Sequence, residues 1–93
     1  MTLEVYGDGS LLIRELPLEE TALLAVAAPL TEGCRQVLEA LLAGRRVAML
    51  AEAPEHRAYR RTAPRAVYQR FVAMERQIHA LGVVKAGKEE GAC

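Results

Sequence analysis

The sequence predicts an α/β domain with a parallel βαβ core, an N-terminal β-hairpin and a long C-terminal helix, arranged in two or three layers. Three observations carry that prediction. Two apolar runs, residues 22–28 and 46–52, flank a segment of helical periodicity that opens on Thr31 and stops at Gly44. Strand, capped helix, glycine stop and strand within about thirty residues make a βαβ unit, whose strands are parallel and whose crossover is right-handed. A Gly-Asp-Gly-Ser turn between two alternating segments precedes this unit, and an apolar stripe at four-three-four-three spacing follows it.

Each element has its own warrant. Residues 3–6 alternate, Gly7, Asp8, Gly9 and Ser10 tolerate positive φ, and residues 11–14 resume extended character, which together make a hairpin. Pro17 interrupts further pairing because it has no amide to donate. Residues 22–28 (Ala-Leu-Leu-Ala-Val-Ala-Ala) read as a strand buried on both faces, although periodicity alone does not separate such a run from a buried helix. Thr31 caps the next helix with Glu32 in its first turn, and Cys34, Val37, Leu38, Leu41 and Leu42 form its apolar face. Gly44 ends it in the left-handed conformation, and residues 46–52 form the second buried strand. Thr62 is the expected cap of the long helix, with Pro64 in its first turn. Val67, Phe71, Met74, Ile78 and Leu81 form the stripe of that helix, which reads as core packing and not as a cofactor box. Gly82 stops it, Val83 and Val84 start a short last strand, and residues 85–93 form a polar tail expected to be disordered. Residues 1–84 therefore make one domain.

With 93 residues, this is one domain of modest core, burying roughly 60–65% of its unfolded surface. Aromatics are few (Tyr6, Tyr59, Tyr68, Phe71), so aliphatic side chains fill that core, and a homo-oligomer or a partner surface is a reasonable expectation. Twelve basic residues balance twelve acidic ones, which removes the long-range attraction of a general nucleic-acid binder. Two cysteines far apart in sequence suggest a reducing compartment rather than a disulfide scaffold. No signal peptide is evident and no apolar run is long enough to span a bilayer, so the expected location is cytoplasmic, without membrane partners.

Little catalytic chemistry can be read from the residues. Thr31, Glu32 and Gly33 would sit where a parallel strand enters a helix, an edge at which open sheets bind anions; an ordinary capped helix is the plainer account. The pattern is neither a GxGxxG nor a phosphate-binding loop ending in Gly-Lys-Ser/Thr. Cys34 has no histidine near it in sequence to act as a base, and reads as a small buried side chain. Glu52, Glu55 and His56 crowd one loop, where a carboxylate orienting a histidine would make a generic acid–base pair; solvated loop residues are the simpler reading. No metal-ligand spacing is present, and no cofactor is expected. The most unusual feature is the cluster Arg57, Tyr59, Arg60, Arg61 and Thr62, where positive charge sits just ahead of a helix N-terminus and opposes its dipole. From Arg57 to Arg76 six arginines face the single acid Glu75. Such a cluster can hold a phosphate, a carboxylate or an acidic partner, can pair with Glu52 and Glu55, or can simply be solvated.

Three segments in this order carry a resemblance: Pro-Leu-Thr-Glu-Gly-Cys at 29–34, Leu-Leu-Ala-Gly-Arg-Arg-Val at 41–47, and Glu-His-Arg-Ala-Tyr-Arg-Arg-Thr-Ala-Pro at 55–64. With the helix of residues 68–82, they resemble the small proteins encoded in ethanolamine-utilisation operons, which are similar to an accessory protein of the propanediol-utilisation microcompartment. The resemblance implies a non-catalytic accessory or interaction protein at a bacterial microcompartment, with shell proteins or cargo enzymes as partners. The chain is shorter than the longer members and lacks their additional segments. Apart from the resemblance, the residues leave open a domain for an anionic or nucleotide-like small molecule, with a site at the carboxyl edge of the parallel strands.

Overall fold

A computed structural model describes residues 1–86. The hairpin forms where alternation places it: β1 (Thr2–Val5) pairs antiparallel with β2 (Leu11–Glu15), with a register shift between Thr2 and Leu3. In the turn, Gly9 takes φ +88°, a conformation open to glycine, and the Asp8 carboxylate accepts from both the Ser10 amide and its hydroxyl.

The first departure from expectation comes next. Residues 22–28 are not a strand; Leu18–Ala25 is a helix, α1. Pro17 stands at its cap position with Glu19 and Glu20 in the first turn, which suits the N-terminal dipole, and the run is rich in Ala and Leu rather than β-branched residues. Burial follows a helical face: Glu20, Thr21 and Leu24 are buried while Val26 is 71% exposed. Ala27, at φ +57°, breaks the chain away from α1.

Helix α2 (Glu32–Leu42) forms as predicted, with the Thr31 hydroxyl accepting the Cys34 amide at 3.1 Å. Its buried face is Cys34, Val37 and Ala40, with Leu38 and Leu41 partly buried; Leu42, expected on that face, is exposed instead. Gly44 ends the helix at φ +77°, and β3 (Val47–Met49) follows. A 3₁₀ helix (Glu55–Tyr59) leads to α3 (Arg65–Ala80). Thr62 does not cap α3. Pro64 holds the cap position and disfavours helical backbone at Ala63, so the helix starts only at Arg65. Of the expected stripe, Ile78 is fully buried, whereas Val67 and Leu81 near its ends are 50% and 42% exposed. Gly82 turns the chain at φ +122° into β4 (Val84–Lys85), which takes in the first residue of the expected tail. Of the rest of that tail, Ala86 is also ordered and donates its amide to Met49 at 3.0 Å, and residues 87–93 lie outside the described residues.

The sheet order is β1-β2-β3-β4, with β2, β3 and β4 parallel. The parallel partner of β3 is therefore β2, reached through α1 and α2, and not residues 22–28. Ile13, Val47 and Met49 turn to one face and pack with Leu24 of α1, Cys34, Val37 and Ala40 of α2 and Ile78 of α3. Leu12 and Ala48, the alternate residues, turn the other way and line an open hollow of about 610 Å³ with Tyr6, Arg46 and Leu50. No described helix covers that face, so the expected choice between two and three layers falls to two.

Candidate functional site

The chemistry collects where β3 gives way to the 3₁₀ helix. Pairing of β2 with β3 continues past the strand ends: Leu16 donates its amide to Ala53 at 2.8 Å, and Glu55 donates to Leu16 at 2.9 Å. This holds the 3₁₀ helix against the start of α1. Pro17 offers no side-chain oxygen to α1, and the Glu55 carboxylate supplies one from a distant part of the chain, accepting the Leu18 amide at 3.0 Å.

His56 follows and is only 3% exposed. Its ring stacks on Phe71 (centroids 5.5 Å apart, 29° between planes) and meets Tyr68 edge-on at 5.5 Å. Behind it lies Glu75, whose Oε2 accepts from Arg57 Nη2 at 2.6 Å and whose Oε1 is 3.3 Å from His56 Nε2. That second approach is within ion-pair reach but poorly aligned, and neither ring nitrogen of His56 makes a hydrogen bond among the described residues. Burial pulls the His56 pKa below its ordinary value; Glu75 opposes the shift and Arg57 adds to it. A neutral imidazole offers one donor and one acceptor, and here both are unmet.

His56 forms part of the wall of two hollows. One, of about 210 Å³, is apolar: Leu18, Tyr59, Ala63, Val67 and Phe71 line it with the ring. The other, of about 510 Å³, runs between the 3₁₀ helix, α3 and β4, and is lined by Arg57, Arg60, Tyr68, Arg76, His79 and Lys85 around Glu75. Within it, His79 Nδ1 donates to the Val83 carbonyl at 2.6 Å, since a carbonyl only accepts. Arg60, Arg76 and Lys85 have no ion-pair partner among the described residues.

The structure divides the residues singled out from the sequence. Arg57 and Arg60 join the polar hollow, Tyr59 joins the apolar one, and Arg61 and Thr62 are exposed beside them. Thr31, Glu32 and Gly33 lie elsewhere, at the start of α2, and are entered from α1 rather than from a strand. Among the described residues α1 packs between α2 and α3, which keeps the two groups apart, and none of the four hollows along these elements is lined by both. The α2 N-terminus already holds an anion. Glu20 Oε2 accepts the Thr31 hydroxyl, and Oε1 accepts the Met1 amine at 2.6 Å. A Cβ at Gly33 would come within 3.0 Å of Met1 Cβ and 3.1 Å of Glu20 Oε2, so glycine leaves both close neighbours their room. Burial raises the Glu20 pKa, but hydrogen bonds from the Met1 amine and Thr31 outweigh it and hold the carboxyl below its usual value. Cys34 is fully buried, and burial pushes its thiol up, away from the nucleophilic thiolate.

Sequence reasoning read Glu52, Glu55 and His56 as solvated loop residues in preference to an acid–base pair; His56 is instead buried, the carboxylate beside it is Glu75, 19 positions along, and Glu55 is spent on capping α1. Tyr68, Arg76, His79 and Lys85 were missed as well. A signal existed on α3, since Tyr68, Val72, Glu75, Arg76 and His79 recur at spacings of three and four and so share one face.

Comparison of the chain with models of known families, with curated proteins and with solved structures returns no match. Among the described residues no His, Cys, Asp or Glu side chains are grouped to hold a metal ion, and no helix is long and apolar enough to cross a membrane. What the arrangement offers is recognition: an apolar seat, and beside it a positively charged one.

Proposed function

We propose that this chain is a non-catalytic interaction module, an accessory protein that docks on a shell protein or cargo enzyme of a bacterial microcompartment for ethanolamine or propanediol utilisation. The observation that carries the docking role is the apolar hollow of Leu18, Tyr59, Ala63, Val67 and Phe71, next in the chain to the exposed Arg60 and Arg61. Tyrosine and arginine around an apolar seat is the composition of an interface hot spot, where a desolvated anchor is surrounded by charge that sets register and rate. Half-exposed Tyr59 and Val67 leave apolar surface for a partner to cover. The partner that fits presents an apolar side chain flanked by carboxylates. The microcompartment setting is supported by the resemblance of residues 29–34, 41–47 and 55–64.

The test is recovery of shell proteins or pathway enzymes on the purified full chain from cells that express its neighbouring operon. Charge reversal at Arg60→Glu and Arg61→Glu should weaken recovery by about tenfold or more with the circular dichroism spectrum unchanged. Undiminished recovery with the double variant, or failure to recover any microcompartment protein with the unaltered chain, refutes the proposal.

A further inference from the structure

We infer that the polar hollow between the 3₁₀ helix, α3 and β4 is a binding site for a phosphate monoester of a small molecule. This goes beyond the docking role and uses an adjoining hollow, which shares His56, Tyr68 and Arg60 with the docking surface but not Arg76 or Lys85. Three observations converge. The first is charge: Arg60, Arg76 and Lys85 line the hollow without ion-pair partners among the described residues, and the one carboxylate there, Glu75, is already engaged by Arg57. Like charges gathered around a concavity repel one another until an anion neutralises them.

The second is an unmet polar group at the wall. His56 is 3% exposed, and both its nitrogens lack hydrogen-bond partners among the described residues. Leaving buried polar atoms unpaired is costly, and a ligand that drew the enclosed ring toward the hollow would give one of them a partner. The third is shape. At about 510 Å³ the hollow falls within the range of small-molecule sites and has room for an organic group besides the phosphate. Guanidinium forks and an ammonium suit the several acceptor oxygens of a dianionic phosphate better than the single pair of a carboxylate. Tyr68 and Val72 on α3 provide an apolar strip for the organic part.

The chain contains two histidines, and both line this hollow, so their imidazole resonances report on it directly. The purified full chain is titrated with inorganic phosphate and then with glycerol 3-phosphate, at pH 7.5 and constant ionic strength. Both resonances should shift saturably, and the ester should bind at least as tightly as phosphate. Arg76→Gln and Lys85→Gln, which alter exposed side chains, should each raise Kd by about tenfold. Shifts that grow linearly, or that chloride reproduces, overturn the inference, as does binding unchanged in both variants. Binding of phosphate without the ester means an adventitious ion only, and overturns it too. Neither variant touches the apolar hollow, so failure here and failure of the docking role are separate results.

Discussion

Replacing His56 by phenylalanine should make this domain more stable. The ring lies between Phe71 and Tyr68, contacts that a phenyl group retains, while its two nitrogens are buried without hydrogen bonds. An unsatisfied buried polar group costs about 1–3 kcal/mol. Losing the 3.3 Å approach to Glu75 returns part of that, since Oε1 gives up its nearest polar neighbour while Oε2 keeps Arg57. The net expectation for His56→Phe at pH 7.5 is a gain of about 1–2 kcal/mol, with a rise in Tm of roughly 4–8 °C per kcal/mol for a domain of this size. The gain should also depend on pH. The folded-state pKa of His56 lies below the reference value of 6.5, so as pH falls through 6.5 the unfolded chain takes up a proton that the folded one resists. Stability of the unaltered chain then declines, and the variant lacks that decline. Urea unfolding at pH 7.5 and 5.5 measures both effects. A variant less stable at pH 7.5, or an advantage that shrinks toward pH 5.5, would refute the reasoning, because either result requires a charged His56 held by Glu75.

Two further outcomes follow from the start of α2. Glu20→Gln should cost about 1–3 kcal/mol at pH 7, because the Met1 amine loses its counter-charge and Thr31 its anionic acceptor. The folded-state pKa of Glu20 is depressed, so its contribution is present above the reference value of 4.5 and disappears as pH falls through the folded value. Denaturation curves of the two proteins should converge in acid. Cys34 should resist an aromatic disulfide reagent in the folded chain and react on unfolding in urea, read in a Cys93→Ser background so that one thiol gives the signal; rapid reaction of the folded protein would contradict its burial.

Local signals located most elements of this fold, and the failures have a common cause. Thr31, Gly44 and Gly82 act through their own backbone and its nearest neighbours, so a capping hydroxyl or a positive φ is visible in a short window of sequence. Residues 22–28 were misread because apolar continuity says only that a segment is buried somewhere. Helix or strand was decided by Pro17 and the two glutamates that follow it, outside the run itself. At the site, the basic character of the stretch after His56 was legible from arginine count alone. Its geometry was not: Glu75 reaches His56 across the packing of α3 on the 3₁₀ helix, and Lys85 joins them only through the pairing of β4 with β3. Each of these is a contact between elements, and no spacing within one element encodes it. The capped start of α2 was legible from Thr31 itself; the carboxylate beside it was not, since Glu20 reaches Thr31 from a helix whose second half reads as a strand in the sequence.

The one-sided sheet has a consequence for how this sequence can drift. Along β2, Ile13 is enclosed by three helices while its neighbour Leu12 faces the open hollow. Adjacent positions in one strand thus live under different constraints. Changes at Ile13, Val47 or Met49 must be answered by a compensating change in a helix, whereas Leu12 can exchange among residues of similar size with no helix to accommodate it. Over many generations the strands should show a two-residue rhythm of restraint and freedom, and new chain segments would be tolerated first on the side that no helix occupies.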